Sequence, residues 1–344
     1  MSASPIRVAA LGLDTMHAPG MLAGMLDAGA EAKGFWTDGT PVPLENYVKR
    51  FPNVPRFDDP LALIEAPDVD LVLISSIPDQ RARLAIAAME AGKDVMVDKP
   101  GCVTLDELDE IRRVVARTGR IWSVNYGEHF EQPSVLMAAQ LIAEGAIGRV
   151  VQTIGLGPHR LNRPLRKPWF FERSRHGGIL ADIGSHHISQ FLLFTGKTSA
   201  EVKTASVANY AHPGDPELED FAEMLLEADG ASGYIRLDWL GPDSLPHPGD
   251  GRVTILGTEG FIELRKYLDL NNRPGAHHIY LSNRTRSEHI DASQTPITYF
   301  RQLAADVRER TETAMTQSHC FEVMRLALNA EAMATRLGGL AMAS

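Results

Sequence analysis

The first 125 residues alternate short apolar runs with longer amphipathic segments. Apolar runs that predict strands lie at 7–11, 32–37, 70–75, 94–97 and 121–124. Segments with helical periodicity or helix-end signals lie between them, at 18–28, 44–50, 78–91 and 104–119. Strands separated by helices at this pace form right-handed crossovers, which build a parallel sheet. The sequence therefore predicts an α/β fold that begins with a Rossmann-like, doubly wound parallel sheet.

This regular alternation stops after residue 125, and closely spaced strand signals replace it. Runs that predict strands lie at 150–157, 201–209, 220–228, 231–240, 252–256 and 260–264. Asp229-Gly230 is a turn signal between two of them, and such turns join antiparallel strands. We predict a Rossmann-like domain over 1–125 and an α+β domain over 126–344 with a mostly antiparallel sheet. Its last helices, at 298–312 and 320–337, are expected to pack back on the first domain.

Length and charge limit the possible partners. A chain of 344 residues exceeds one ordinary core and suits two domains. The formal net charge of -10 argues against nucleic acid, because phosphate binding favours a basic surface. No apolar run approaches the roughly 18 residues that a membrane span requires. We therefore expect neither nucleic-acid nor membrane partners.

The cysteines and the N-terminal residues favour a cytoplasmic protein. Cys102 and Cys320 are the only cysteines and lie far apart, which disfavours disulfides and a thiolate metal site. The histidine pairs at 186–187 and 277–278 lack matched ligand spacing, so we expect no metal. Residues 1–7 contain no apolar stretch of the signal-peptide type, so no signal peptide is expected.

Residues that follow the predicted strands are candidates for cofactor binding. In a doubly wound sheet, ligands bind at the carboxyl ends of the strands. The candidates at these ends are Gly12, Leu13, Asp14, Thr15, Asp38, Ser75, Ser76, Pro78, Asp98, Lys99 and Asn125. A strand, a loop and a helix in this order are typical of a nicotinamide dinucleotide site.

The loop after the first strand departs from the dinucleotide fingerprint. That fingerprint is Gly-x-Gly-x-x-Gly, whereas residues 12–17 keep only Gly12. Asp14 would repel a pyrophosphate unless its carboxylate turns away, for instance to cap the following helix. Asp38 stands where a ribose-binding acid is expected and favours NAD, with NADP still open. Thr37 could occupy that position instead, or Asp38 could be a plain turn residue.

The segment 177–187 carries a carboxylate and an imidazole four residues apart. It reads GGILADIGSHH and precedes an apolar run that ends at Gly196. A helix over 180–195 would place Asp182 and His186 on one face. His187 falls on the opposite, apolar arc and is expected in the core. The alternative is a surface helix with an incidental Asp/His pair.

Lys99 is a second candidate for chemistry. It precedes Pro100, and a residue before proline is held extended, so Lys99 should project from the sheet edge. An ammonium group there can take part in proton transfer beside a nicotinamide. The alternative is a solvated lysine in a loop, which is the default for most lysines.

Two motifs together resemble the glucose–fructose oxidoreductase / inositol dehydrogenase / rhizopine-catabolism (Gfo/Idh/MocA) family. Residues 98–100 read Asp-Lys-Pro, where members have Glu-Lys-Pro after a strand. Residues 177–186 match the family pattern Gly-Gly-x-x-x-Asp-x-Gly-x-His. The resemblance runs from the first strand through the final helices.

The resemblance implies that Lys99, Asp182 and His186 form a catalytic trio. Family members move a hydride between a nicotinamide and a carbinol carbon, usually of a sugar, polyol or related compound. His186 would then be the general acid/base, while Lys99 and Asp182 position the substrate. The resemblance also implies an open-faced sheet in the second domain, through which members often associate, and hence a homodimer or homotetramer.

The loop at 159–176 is rich in arginine and histidine. The residues expected to bind the small-molecule substrate are Lys99, His159, Arg163, Trp169, Asp182 and His186. One hypothesis is that basic groups of this loop contact a carboxylated substrate or the cofactor phosphates. The alternative is a solvated or interface loop with scattered cations.

Taken together, these features predict an NAD(P)-dependent oxidoreductase acting on a CH–OH group of a sugar, polyol or sugar-acid-like substrate. One alternative is a non-catalytic nucleotide-binding sensor or regulator, which Asp14 would favour. Another is a lyase or hydrolase that uses bound NAD for transient redox. The sequence fixes neither the substrate nor the reaction direction, because fold and motif are shared by many activities.

Overall fold

The computed structural model describes residues 4–269, 271 and 273–338. Its strands are β1 (Arg7–Leu11), β2 (Glu31–Trp36), β3 (Leu71–Ile74), β4 (Asp94–Asp98), β5 (Trp122–Asn125), β6 (Val150–Pro158), β7 (Glu201–Ala208), β8 (Phe221–Ala228), β9 (Ala231–Asp238), β10 (Arg252–Gly257), β11 (Gly260–Arg265), β12 (His278–Asn283), β13 (Ser287–Asp291) and β14 (Thr335–Arg336). Its helices are α1 (Ala18–Asp27), α2 (Leu44–Arg50), α3 (Pro60–Ile64), α4 (Pro78–Glu90), α5 (Leu105–Thr118), α6 (Gly127–Phe130), α7 (Pro133–Ala143), α8 (Arg173–His176), α9 (Ile179–Asp182), α10 (Gly184–Thr195), α11 (Tyr299–Glu309) and α12 (Gln317–Met333).

The first of two compact units holds the described residues of 4–125, 174–177 and 298–324. Its five strands are all parallel and run in the order β2-β1-β3-β4-β5. Every residue of β3 and β4 is buried, which is typical of interior strands in a parallel sheet. The prediction of a Rossmann-like parallel sheet is confirmed.

Local sequence signals explain several helix ends in this unit. Thr104 and Glu107 form a capping box at the start of α5, and Gly119 ends it in the left-handed region. The last helices join the unit by packing on β5, where Trp122 stacks on Phe321 at 5.1 Å. The hydroxyls of Ser123 and Tyr299 lie 2.6 Å apart in the same layer.

The second unit holds the described residues of 126–173, 178–297 and 325–338. Its nine strands run in the order β13-β12-β11-β10-β6-β9-β8-β7-β14. Neighbouring strands are antiparallel except for β6 with β9 and β7 with β14. The predicted mostly antiparallel sheet is therefore confirmed. Of the second predicted domain, residues 270, 272 and 339–344 lie outside the described residues.

Three strands of this sheet were not expected from the sequence: β12, β13 and β14. β13 is largely polar and reads Ser-Glu-His-Ile-Asp, whereas β12 contributes the alternating core residues Ile279 and Leu281. The helix predicted over 320–337 was wrong at its end, because α12 ends at Met333 and β14 follows it. The three strands form because β11 and β7 offer backbone hydrogen-bonding edges that continue the ladder. Tertiary pairing, which local sequence does not encode, decided these strands.

One face of the sheet packs on α7 and α10 and forms the core of the unit. Val135 and Ala138 of α7 and Phe194 of α10 lie in this core with Ile255 and Ile262 of the sheet. Exposed and buried residues alternate along β8 and β10, as in a sheet covered on one face. Among the described residues, no helix is long and apolar enough to cross a membrane.

Candidate active site

The loop after β1 lies directly on neighbouring strand ends. The Asp14 N–H donates to the Ser75 carbonyl at 2.9 Å, and the Leu13 N–H donates to the Thr37 hydroxyl at 3.2 Å. Gly12 has a φ of +79°, and a Cβ at this position would overlap the backbone of Ser76. Only glycine fits here, because the conformation is left-handed and the neighbouring chain is too close for a side chain.

Asp14 has a structural partner of its own. Its carboxylate interacts with the backbone N–H of Ile77, the residue before α4, and this interaction lowers the pKa of Asp14. Asp14 does not cap α1, as the sequence suggested it could, because the start of that helix has no side-chain cap. Burial raises the pKa of Asp14 to about 6, and Arg81 opposes the rise while Asp38 adds to it.

Asp98 ties the end of β4 to the loop after β1. Its fully buried carboxylate accepts a hydrogen bond from the Thr15 hydroxyl at 2.7 Å and lies 3.0 Å from Nδ1 of His17. The backbone N–H of Lys99 donates to the same carboxylate at 2.9 Å. Burial raises the pKa of Asp98, but His17 and Arg81 outweigh it and hold the pKa below its ordinary value.

Arg81 holds the backbone that carries Lys99. Its guanidinium is fully buried and donates to the carbonyls of Asp98 at 3.0 Å, Lys99 at 2.5 Å and Pro100 at 2.9 Å. It also donates to the Ser76 carbonyl at 2.8 Å, and the Lys99–Pro100 peptide bond is cis. The sequence does not indicate this role, because an arginine in an amphipathic helix is ordinarily exposed.

The carboxyl edge of this sheet has groups suited to a dinucleotide. Within the described ranges, the buried Oγ of Ser76 and Oδ1 of Asn125 have no hydrogen-bond partner. A buried polar atom without a partner is costly, so both atoms suit a hydrogen-bonding ligand. Asp38 is exposed, whereas the Thr37 hydroxyl is buried and accepts from Leu13. Of these two residues, Asp38 has its side chain free for a ribose.

In the second unit, the turn that carries Asp182 starts on a buried carboxylate. Oε1 of Glu331 accepts from the backbone N–H groups of Leu180 at 2.7 Å and Ala181 at 3.2 Å. Gly178 has a φ of +91°, and a Cβ there would overlap the Glu331 carboxylate. The glycine of the motif therefore makes room for the acid that anchors the turn.

Glu331 shares its surroundings with a second acid and an arginine. Arg173 donates to Oε2 of Glu331 at 2.9 Å and to Oε1 of Glu219 at 2.8 Å. Burial raises the pKa of Glu331 to about 8, and the neighbouring Glu219 adds to the rise. This cluster was not expected from the sequence, because residues 173, 219 and 331 are distant along the chain.

Asp182 and His186 lie on two short helices instead of the single predicted one. α9 ends at Asp182 and α10 begins at Gly184, with Ile183 between them. α10 ends at Thr195, and Gly196 caps it with a φ of 66°, as predicted. Asp182 and His186 are both buried. These residues therefore do not lie on a solvent-exposed surface helix.

His187 is a core histidine, as its position on the apolar arc predicts. It is 3% exposed and packs against Gly155 and Gly157 of β6, where Cβ atoms would collide with the ring. Neither ring nitrogen has a hydrogen-bond partner within the part of the chain that the structure describes. Burial lowers the pKa of His187 to about 3, so the ring is neutral at physiological pH.

A buried ion pair lies near the two histidines. Nζ of Lys266 contacts Oε2 of Glu128, and the Tyr267 hydroxyl donates to Oε1 of Glu128 at 3.3 Å. Burial raises the pKa of Glu128, but Lys266 and His186 outweigh it and hold the pKa well below its usual range. Nothing local in the sequence pairs residues 128 and 266, and the structure adds both to the candidate site.

Aromatic rings of the basic loop form a continuous cluster with Trp239, the residue after β9. His159 and Phe170 both contact Trp239 edge-on, with ring centroids 5.5 Å and 5.3 Å apart. Trp169 contacts Phe170 at 5.9 Å. The structure thus brings the predicted substrate residues His159 and Trp169 into one cluster, in which Trp239 and Phe170 lie between them.

Arg163, the third predicted substrate residue of this loop, has a protein partner. Its guanidinium forms a bidentate ion pair with Asp215 and lies over the Phe171 ring at 4.4 Å. Its side chain is 54% exposed. Within the described residues, no group of three His, Cys, Asp or Glu side chains is arranged to hold a metal ion.

Comparison with protein families agrees with this architecture. Residues 16–126 match a model described as an oxidoreductase family with an NAD-binding Rossmann fold. Residues 135–263 match the model of the GFO/IDH/MocA C-terminal domain. The chain belongs to the Gfo/Idh/MocA oxidoreductase family. The predicted family, fold class and nicotinamide cofactor are confirmed at this level.

Individual relatives of this Gfo/Idh/MocA protein are dehydrogenases or share its fold. A candidate oxidoreductase of Erwinia carotovora atroseptica SCRI1043 is 43% identical, with a TM-score of 0.94 over 97% of this chain and 100% of that one. A scyllo-inositol 2-dehydrogenase (NAD(+)) of Bacillus subtilis is 28% identical over 60% of this chain and 58% of its own length. A levoglucosan dehydrogenase of Pseudarthrobacter phenanthrenivorans is 32% identical over 40% of this chain and 36% of its own length. The chain thus matches less than two thirds of each of these two enzymes.

Proposed function

We propose that this Gfo/Idh/MocA protein is an NAD(P)-dependent dehydrogenase that acts on a CH–OH group of a sugar, polyol or sugar-acid-like compound. The observation that carries the proposal is the complete 177–186 motif, in which buried Asp182 and His186 follow a turn anchored by Glu331. The names of the inositol and levoglucosan dehydrogenases support the substrate class.

The cofactor proposed is NAD, with NADP as the second choice. Residues proposed to hold it are Gly12, Leu13, Asp14, Thr15, Asp38, Ser75, Ser76, Pro78, Asp98, Lys99 and Asn125. The exposed Asp38 carboxylate suits ribose hydroxyls and disfavours a 2′-phosphate. When bound, the nicotinamide exchanges a hydride with the substrate carbon.

The proton chemistry is proposed for residues of this chain. His186 takes the hydroxyl proton during oxidation and returns it during reduction. Glu128 interacts electrostatically with His186 and favours the imidazolium form that results. We propose that Lys99 stabilises the negative charge that develops on the substrate oxygen, and that Asp182 positions the substrate. His159, Arg163 and Trp169 are the further proposed substrate contacts.

A cytoplasmic homodimer or homotetramer is part of the proposal. The sheet of the second unit exposes Leu225, Leu256 and Phe261, between 37% and 44% each. Apolar side chains on a sheet face favour association. Light scattering on the Leu256→Glu/Phe261→Glu double variant should report a smaller species than the unaltered protein; an unchanged mass would count against this face.

The central experiment follows NADH absorbance while the purified protein meets a panel of sugars, polyols and sugar acids. We expect Lys99→Ala and His186→Ala to lower kcat by about 10²- to 10⁴-fold, with folding retained in both and NAD binding retained in His186→Ala. His187→Gln is the matched control, because it alters a neutral histidine of the core. This substitution should lower Tm and leave kcat nearly unchanged. Full activity in Lys99→Ala or in His186→Ala would contradict the proposal. So would NAD binding by the unaltered protein without turnover of any compound.

A further inference from the structure

Arg166 stands apart among the cations of the basic loop. Its guanidinium lies over the ring of Phe170 at 4.2 Å and over the ring of Trp239 at 5.0 Å. Its Nε donates to the carbonyl of Leu161 at 2.9 Å. Two ring faces and one hydrogen bond fix the plane of the guanidinium, because a cation is attracted to both ring faces.

The two terminal nitrogens of this fixed group are available. Within the described residues, Nη1 and Nη2 of Arg166 have neither a hydrogen-bond nor an ion-pair partner. Burial lowers the pKa of Arg166, and Asp182 offsets part of that effect electrostatically. The side chain is half-buried, and a partly desolvated guanidinium without a bonded anion favours an anionic ligand.

Three of the other four arginines of the same loop bind carboxylates, and the fourth, Arg160, donates through Nη1 to the Asp243 carbonyl at 3.2 Å. Arg163 binds Asp215, Arg173 binds Glu219 at 2.8 Å, and Arg175 binds Asp79 at 3.1 Å. Arg166 differs from all three because aromatic rings, and not an acid, hold it in place. The structure therefore selects one residue from a loop in which the sequence could not rank the cations.

We propose that Arg166 binds a carboxylate of the substrate, so that the compound oxidised is a hydroxy acid of the aldonate or uronate class. This inference rests on the proposed function, because it assigns the substrate of that same site. The Trp239 ring connects Arg166 with His159, and the Phe170 ring connects Arg166 with Trp169, so Arg166 belongs to the same cluster as these two proposed substrate contacts. Asp182 also interacts electrostatically with Arg166. The carboxylate serves only for recognition, and no bond to it forms or breaks.

A carboxylate fits this position better than a phosphate. The guanidinium presents two parallel N–H groups to a planar anion, and this geometry matches two carboxylate oxygens. A phosphate dianion would place twice the negative charge near Asp182 and be repelled more strongly. The neutral sugar of the same skeleton would leave the guanidinium without a partner.

The test compares matched compounds on the full chain with NAD: D-galacturonate with D-galactose, D-gluconate with D-glucose, and D-glucose 6-phosphate. Calorimetry measures binding, and NADH absorbance measures kcat and KM. We expect the acids to be preferred by about 10-fold or more, since hydrogen bonds to charged groups contribute this much. Arg166→Met should remove the preference through KM, and Arg166→Lys should restore part of it.

Lys167→Met is the control, because it removes a positive charge from the adjacent, exposed position. It should leave the acid-to-neutral ratio unchanged. Three outcomes would each overturn the inference. The protein could prefer the neutral sugars or the phosphate, or it could fail to bind the acids. Arg166→Met could also keep the acid-to-neutral ratio of the unaltered chain. Binding of an acid through Arg166 without any NADH formation would instead keep the inference and overturn the proposed dehydrogenase activity.

Discussion

The loop after β1 and the turn before α10 differ in how much of their family motifs they retain. The loop keeps only one of three fingerprint glycines. The side chains that replace the others have partners, because Asp14 interacts with the backbone N–H of Ile77 and His17 bonds Asp98. The turn keeps its full motif, and Gly178 lies against Glu331. A motif glycine is thus required where another protein group occupies the space, and replaceable where a side chain can be used.

The largest effect is expected from removing the arginine that organises the cofactor side. Arg81→Ala should lower the free energy of unfolding by about 3–5 kcal/mol, because it leaves four buried carbonyls without this donor and removes the cation beside the buried Asp98 carboxylate. Urea unfolding measures the loss. Arg83→Ala, an exposed arginine of the same helix, should change it by less than about 0.5 kcal/mol. Similar values for both variants would refute the role assigned to Arg81.

On the substrate side, Gly178→Ala tests the close approach of Glu331. We expect a loss of about 2–4 kcal/mol, the sum of left-handed strain and displacement of the carboxylate. Gly29→Ala isolates the strain, because Gly29 has a φ of +86° and no neighbour within 4 Å of a Cβ. That control should cost about 1–2 kcal/mol. If both substitutions cost the same, Glu331 does not constrain the turn.

The Glu331 cluster also predicts how stability depends on pH. The folded-state pKa of about 8 lies above the unfolded value, so the folded protein binds the extra proton in between. Stability from this group is complete below the unfolded pKa and is lost as pH rises through about 8. The slope should be on the order of 1 kcal/mol per pH unit. Glu331→Gln should flatten the dependence of Tm on pH; a retained slope would assign the proton elsewhere.

The smallest effect concerns Asp14. Because its pKa is about 6, its charge is largely present at neutral pH and opposes a dinucleotide phosphate. Asp14→Asn should therefore strengthen NAD binding by about 3- to 10-fold, and the unaltered protein should bind NAD more tightly as pH falls through about 6. Calorimetry across this pH range checks both points. Asp38→Asn should act in the opposite direction, by removing the proposed acceptor for the ribose hydroxyls.

Much of the fold could be predicted because its signals are local. Strand and helix positions before residue 125 follow from apolar period, capping residues such as Thr104 and stops such as Gly119. The polar strand β13 could not be predicted, because its stability comes from pairing with β12. In the candidate site, Lys99, Asp182 and His186 were found through motifs, and their catalytic roles stay a prediction.

By itself, the sequence determined the parallel sheet, the residues at its carboxyl edge, the two family motifs and the core position of His187. These features follow from residues that lie close together along the chain, so periodicity and spacing in the sequence indicate them. Only the tertiary structure decided that Arg81 holds the Lys99 backbone, that Glu331 anchors the turn of Asp182 and that Arg166 packs on two rings. These contacts join distant residues, and burial gives each its charge environment, which no local pattern encodes.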